Sequence, residues 1–284
     1  MTDGDPSQKP KGLNFRLECY IILIIASGDL PKMTKTTMRI DNRAFDATRP
    51  IMITPDYMDF ADGSALIEMG KTKVLATATI DEKIPPFLKG SGQGWITAEY
   101  SMLPRATEKR TNRERTPGRL SGRTQEIQRL IGRSLRAVTD LKILEERTVI
   151  IDCDVIQADG GTRSASITAG CVALALSLKK MMDSGVIAQM PLEHLVAGVS
   201  VGVVGGNRLL DLDYIEDSNA ETDMNVVETD SGQIVEVQAT AEKAPFTKKE
   251  FNALLDLAHK GAQILINAQR EVLKTKSPLF MAYN

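Results

Sequence analysis

Histidine is scarce in this chain. His194 and His259 are its only two, and neither lies near a Cys-x-x-Cys pair or a second histidine. A zinc site of the usual kind and histidine-based nucleophilic chemistry are therefore poorly supplied. Cysteine is nearly as rare: Cys19, Cys153 and Cys171 are odd in number and widely spaced, and two of them sit in apolar runs. That pattern suits reduced, buried thiols in a cytosolic protein rather than a disulfide framework. Bulk charge is missing as well, since 35 basic residues against 37 acidic ones leave a net of −2, so only a local asymmetry could mark a polyanion-binding protein. Long apolar runs are absent from the start of the chain. Lys9, Lys11 and Arg16 precede the run Tyr20 to Ala26 and so imitate a secretory leader, but a membrane span needs roughly 20 apolar residues. Residues 1–37 are expected to be a poorly ordered extension, or the product of a start codon assigned too early, with Met33 or Met38 as the true beginning.

What is present is an ordinary globular composition, with 42% hydrophobic and 25% charged residues, which excludes a low-complexity chain. Apolar runs at Ala65 to Met69, Val74 to Ile80, Thr148 to Ile156, Leu195 to Val204, Leu209 to Tyr214, Met224 to Val227 and Gln233 to Thr240 predict strands. Three helical patterns lie among them. In the first, Ile127, Leu130, Ile131, Leu135 and Val138 form one stripe, and Arg129, Arg133 and Arg136 lie opposite. The second, Ser164 to Met182, is apolar almost all round and must be buried. The third runs from about Lys248 to Lys274. No repeat period appears, and no Pro/Gly/Ser linker divides residues 38–284, so a single mixed α+β or α/β domain is expected.

The near-neutral total hides two polarised segments. Between Arg105 and Arg136 ten basic residues, nine of them arginine, face three acidic ones; between Asp211 and Asp230 eight acidic residues face no basic one. Arginine's planar fork matches phosphate bidentately, and an RNA backbone is the natural partner for such a stretch. A solvated helix face with ion-pairing loops is the bland alternative. Arg105 to Arg119 carries Pro104, Thr107, Asn112, Pro117 and Gly118 around its charges and reads as a loop. Arg123 differs: within Ser121-Gly122-Arg123-Thr124 it opens the amphipathic helix, where free backbone N–H groups favour an anion. A second cradle, Ala158-Asp159-Gly160-Gly161-Thr162-Arg163-Ser164, joins a strand to the apolar helix, and its glycines, hydroxyls and arginine suit phosphate. It is not a Walker A loop.

Asp211, Asp217 and Asp223 recur every six residues. On one extended strand neighbours would stand about 20 Å apart, too far to share a metal ion, so the chain must turn. A hairpin between the strands Leu209 to Tyr214 and Met224 to Val227 would bring Asp217 and Asp223 together and leave Asp211 and Asp213 on one strand face. Hard carboxylate oxygens of this kind suit Mg²⁺. A solvated acidic hairpin is the alternative.

Several long motifs resemble the ribonuclease PH family, and the likeness extends from Met38 to about Arg270. They are Met38-Arg39 with Asp41 and Arg43, Pro85 to Gly90, Gly92 to Arg105, Ser121 to Arg133, Gln157 to Arg163, and Glu216-Asp217 leading to Asp223 through Val227. The resemblance implies an α+β fold of β-α-β-α type, like the second domain of ribosomal protein S5, assembled as a ring, a homohexameric trimer of dimers. It implies a phosphorolytic 3′→5′ exoribonuclease that trims tRNA precursors in the cytoplasm and releases nucleoside diphosphates. Arg123, Gly161, Thr162 and Arg163 would bind inorganic phosphate, the co-substrate. Asp217 and Asp223 would carry catalysis through Mg²⁺, with Asp211 a further candidate, and Arg105, Arg110 and Arg113 would hold tRNA. A hydrolytic 3′ exonuclease and a non-catalytic RNA-binding ring subunit are the alternatives; the first leaves the second anion cradle idle, and the second would be expected to lack the arginines or the aspartates. The sequence departs from the family at Asn42, Ser164, Ala239 and Lys243, which puts local turn geometry at issue.

Overall fold

The computed structural model describes residues 39–113 and 120–283. The expectations for residues 1–37, and for Arg115 and Arg119 in the basic loop, fall outside them. The first half of the chain builds a five-stranded sheet from β1 (Ile51–Pro55), β2 (Gly63–Met69), β3 (Thr72–Asp81), β4 (Trp95–Met102) and β5 (Thr148–Gln157), in the order β1-β2-β3-β5-β4. β4 and β5 run parallel, so the chain must cross over between them, and α1 (Gly122–Arg136) makes the crossing. The second half builds an antiparallel sheet of β6 (Val196–Val204), β7 (Asn207–Leu210), β8 (Thr222–Thr229) and β9 (Ile234–Ala241), in the order β7-β6-β8-β9.

Side-chain alternation explains which face of the first sheet is covered. Along β5, Val149, Ile151, Cys153 and Val155 are buried while Ile150, Asp152 and Asp154 alternate with them toward the open side. The inward set meets α2 (Thr162–Asp183), which packs on β2, β3 and β5 of the first sheet and on β6 of the second. Being buried on nearly every side, α2 has no polar stripe, as its composition requires. α1 buries Ile127, Leu130, Ile131 and Leu135, each contributing about 1.5–3 kcal/mol by leaving water. Its last turn holds Arg133 and Arg136, which suit the negative end of the helix dipole. α4 (Lys248–Lys274) starts at Thr247, whose reciprocal bonds with Glu250 satisfy the first-turn amides, and packs on β6, β8 and β1. One hydrophobic cluster runs through both sheets and all three long helices.

Two expectations about the acidic segment are corrected. The strand expected over Leu209 to Tyr214 stops at Leu210: Asp211 takes a left-handed φ of 56°, and Asp213 caps the short helix α3 (Tyr214–Asn219) in a capping box with Glu216. Asp211 and Asp213 thus share no strand face. Nor do β7 and β8 form a hairpin, because β6 lies between them. The departure at Asn42 has a simple reading: it stands at φ 64°, a conformation where glycine is favoured and asparagine tolerated.

Candidate active site

Three element starts and one strand converge at the edge between the sheets. Ser121 caps α1 by accepting the Thr124 amide at 3.1 Å, which leaves Arg123 in the first turn. The Gly-Gly turn after β5 takes φ values of 76° at Gly160 and 67° at Gly161, and Gly161 is the residue that begins α2. Side chains are excluded there on two grounds, since a Cβ on Gly160 would stand 2.5 Å from the Leu212 carbonyl oxygen. Thr162 and Arg163 follow in the first turn of α2. The Thr162 hydroxyl meets Tyr100 Oη of β4 at 2.9 Å, and Arg163 Nη1 donates to Glu126 Oε1 of α1 at 2.9 Å and to Gln238 of β9. The amides of Gly160, Gly161, Thr162 and Arg163 have no hydrogen-bond partner among the described residues.

Opposite this cradle stand Asp217, on α3, and Asp223, on β8. Burial pushes Asp223 up to about 6, repulsion from Asp217 adds to the push, and Arg163 and Arg123 oppose it. Asp217 is raised for the same leading reason, burial, again resisted by Arg123 and Arg163. Burial also raises Tyr100, against the pull of the same two arginines. Arg123, Arg163, Tyr100, Asp217 and Asp223 therefore share one electrostatic neighbourhood. Half-buried carboxylates that repel one another are suited to a cation.

Asp211 stands apart from them. It is 1% exposed and receives Arg49 through the backbone N (2.8 Å), Nε (2.9 Å) and Nη2 (2.6 Å), with Arg43 Nη1 at 3.5 Å. Although burial alone would raise it, these arginines hold its carboxyl below the usual carboxylate range. Both carboxylate oxygens are thus engaged by arginine, an arrangement that suits a structural part for Asp211, the further catalytic candidate of the sequence. Arg39 makes the neighbouring clamp, donating from Nε to Glu216 Oε1 at 2.6 Å and from Nη2 to the Asp211 carbonyl at 2.9 Å.

Arg105, Arg110 and Arg113 are all exposed. Arg105 Nη1 donates to the Glu108 carbonyl at 3.0 Å, and Arg110 Nη1 to Asn112 Oδ1 at 3.3 Å. Between them Ala106 is buried, and its carbonyl accepts the Ala158 amide at 2.8 Å. The basic loop is thereby fastened to the strand end that leads into the Gly-Gly turn. Sequence reasoning missed Arg49, Thr72 beneath the turn, and the separate part played by Tyr100; alternation along β4 could have flagged the tyrosine as inward-facing, but nothing local pairs Arg49 with Asp211.

Comparison with known proteins places the fold in a family. Residues 47–179 match the first domain of the 3′ exoribonuclease family and residues 194–261 its second domain. Ribonuclease PH of Moorella thermoacetica is 56% identical over 236 residues, spanning 83% of this chain and 94% of its own. The chain belongs to the ribonuclease PH family of 3′ exoribonucleases. Among solved structures the fold resembles an Archaeoglobus fulgidus exosome with RNA bound to its active site (TM-score 0.67, 24% identity, 84% of this chain and 92% of that one). It also resembles rice Rrp46 (TM-score 0.67, 19% identity, 83% and 100%).

Proposed function

We infer that this pocket carries out the family's reaction, phosphorolytic removal of nucleotides from RNA 3′ ends in tRNA precursors, with Arg123 and the Gly161-Thr162-Arg163 turn holding orthophosphate. The observation that carries the assignment is the juxtaposition of an anion cradle with free amides and two arginines against a pair of buried, mutually repelling carboxylates. A hydrolase would need only one of these halves.

The chemistry follows from the charges. An oxygen of the bound phosphate attacks the phosphorus of the last phosphodiester, the bond to the 3′ oxygen of the preceding nucleotide breaks, and that oxygen leaves with the electron pair and takes up a proton. The product is a nucleoside diphosphate. Two anions must approach each other, which the guanidiniums of Arg123 and Arg163 and the first-turn amides of α2 offset and orient. Because a diphosphate bond is made as a diester is broken, the step is reversible, and the protein is a nucleotidyltransferase.

The donor set beside the cradle fits Mg²⁺. Asp217 and Asp223 offer hard oxygens whose mutual repulsion a divalent ion would relieve. Mg²⁺ usually takes one or two carboxylates plus phosphate oxygens, so two aspartates beside a phosphate site would suffice. When bound, Mg²⁺ would neutralise charge on the scissile phosphate and the departing oxygen. Arg105, Arg110 and Arg113 would track the RNA backbone. A homohexameric ring, a trimer of dimers, is proposed as the working assembly, and the cytoplasm as its compartment. Cys153 and Cys171 support a reducing setting: both are free and buried, with burial pushing each thiol up to about 12.

The deciding experiment incubates purified protein and Mg²⁺ with a tRNA bearing a 3′ extension. Shortening only on addition of phosphate, with nucleoside diphosphates as products, is expected; nucleoside monophosphates released without phosphate would establish a hydrolytic nuclease instead.

A further inference from the structure

The Gly-Gly turn is held through its backbone by two residues that the reaction itself does not use. Thr72, fully buried at the start of β3, donates its hydroxyl to the Gly160 carbonyl at 2.7 Å and accepts the Asp159 amide at 3.0 Å. Arg49 donates from Nη1 to the Asp159 carbonyl and from Nη2 to the Gly160 carbonyl at 3.4 Å. The arginine fills the space directly beneath the turn, since a Cβ on Gly161 would stand 3.0 Å from its Nη2. Its fork is in turn aligned by Asp211, which accepts Nε at 2.9 Å and Nη2 at 2.6 Å and also takes the Arg49 backbone N–H at 2.8 Å.

Peptide geometry gives this arrangement a consequence. In a planar trans peptide the C=O of one residue and the N–H of the next point in opposite directions. Fixing the Asp159 and Gly160 carbonyls toward Thr72 and Arg49 therefore turns the Gly160 and Gly161 N–H groups the other way. Glycine-flanked peptide planes rotate cheaply, so without such a hold the turn could present carbonyls, which repel an anion, in place of amides, which attract one.

We propose that Thr72 and Arg49 are positioning residues that set the polarity of the phosphate cradle, holding two carbonyls back so that the Gly160 and Gly161 amides face orthophosphate. This rests on the reading that orthophosphate sits at this turn. Asp211 serves the same end one layer out, by orienting Arg49.

The test measures KM for phosphate and KM for RNA separately in full-length variants. Thr72→Val keeps the shape and the β-branched side chain and removes the hydroxyl; it should raise KM for phosphate on the order of ten-fold, the scale of a hydrogen bond or two, and leave KM for RNA within about two-fold. Thr72→Ser, which restores the hydroxyl, should recover most of the phosphate affinity. Arg49→Lys keeps the charge beside Asp211 but cannot span both carbonyls, and should move KM for phosphate in the same direction. Arg163→Gln is the control for the phosphate site itself. If Arg163→Gln raises KM for phosphate while Thr72→Val and Arg49→Lys do not, the positioning role is overturned and the site stands. Should Arg163→Gln also leave it unchanged, the site is elsewhere and both readings fall. Equal rises in both KM values, or a lowered melting temperature alone, would reduce Thr72 to a structural part and overturn the proposal.

Discussion

Two groups of acidic residues, only a few positions apart in the chain, sit in opposite environments. Asp211 and Glu216 are each clamped by arginines from residues 39–49, and Asp211 is held below the usual carboxylate range. Asp217 and Asp223 are partly buried near one another, and both are held above it. The first pair has its countercharge built in; the second has been left short of positive charge. A protein organised only for stability would complete both. The deficit around Asp217 and Asp223 is what a metal cation would make good.

Breaking the second group should have the largest effect on activity and little on folding. Asp217→Asn and Asp223→Asn are expected to lower kcat by roughly a thousand-fold or more, as does the loss of other metal-centred or electrostatic groups, while RNA affinity measured by filter binding stays largely intact. Chelation with EDTA should silence the wild type, and added Mg²⁺ should restore it. The same substitutions should be neutral or mildly stabilising in urea unfolding, because each removes one member of a repelling pair. Retained turnover in both variants would refute the assignment of metal ligands.

Breaking the first group should do the reverse. Removing one partner of a buried, hydrogen-bonded pair leaves the other uncompensated, at a cost of about 3–5 kcal/mol. Asp211→Asn and Arg49→Met are therefore expected to shift the urea midpoint strongly downward. The pH dependence has a definite sign. The folded-state carboxyl of Asp211 is depressed, so its contribution is complete above the unfolded value of 3.8 and is lost as pH falls through the lower folded value. Acid unfolding of the wild type should thus steepen below about pH 4, and Asp211→Asn should flatten that limb. An unchanged acid limb would show that the clamp contributes nothing there.

How far these contrasts can be read from the sequence depends on how local each one is. Both anion cradles are legible because each is a contiguous run at a helix start, Ser121 to Thr124 and Asp159 to Arg163. The limits of α4 are legible as well, since Thr247 and Glu250 form its cap within one turn. α3 is not. Leucine and aspartate alternate from Leu210 to Asp213 with the period of a strand, and that pattern masks the capping box that starts a helix at Tyr214. The pairing of Asp211 is beyond local reading altogether: its partner Arg49 lies 162 residues earlier, and no spacing rule joins them. Without Arg49, Asp211 reads as one more carboxylate in an acidic run, which groups it with Asp217 and Asp223.

The smallest expected effects lie on the exposed basic loop, where the contrast with the clamp is one of solvent. Arg110 and Arg113 have exposed side chains, so each would meet an RNA phosphate in high dielectric and under salt screening. Arg110→Gln and Arg113→Gln should each weaken RNA binding only a few-fold near physiological salt, with kcat for a saturating tRNA precursor unchanged. Their signature is in the salt dependence: each arginine–phosphate pair removed should reduce the slope of log affinity against log salt by about 0.7 to 1. Arg105 adjoins buried Ala106, whose carbonyl holds the strand end before the Gly-Gly turn, so Arg105→Gln should produce the same slope change without disturbing KM for phosphate, because the tether is made by backbone atoms. A rise in that KM would mean that the guanidinium, and not the main chain, couples the RNA-facing loop to the cradle.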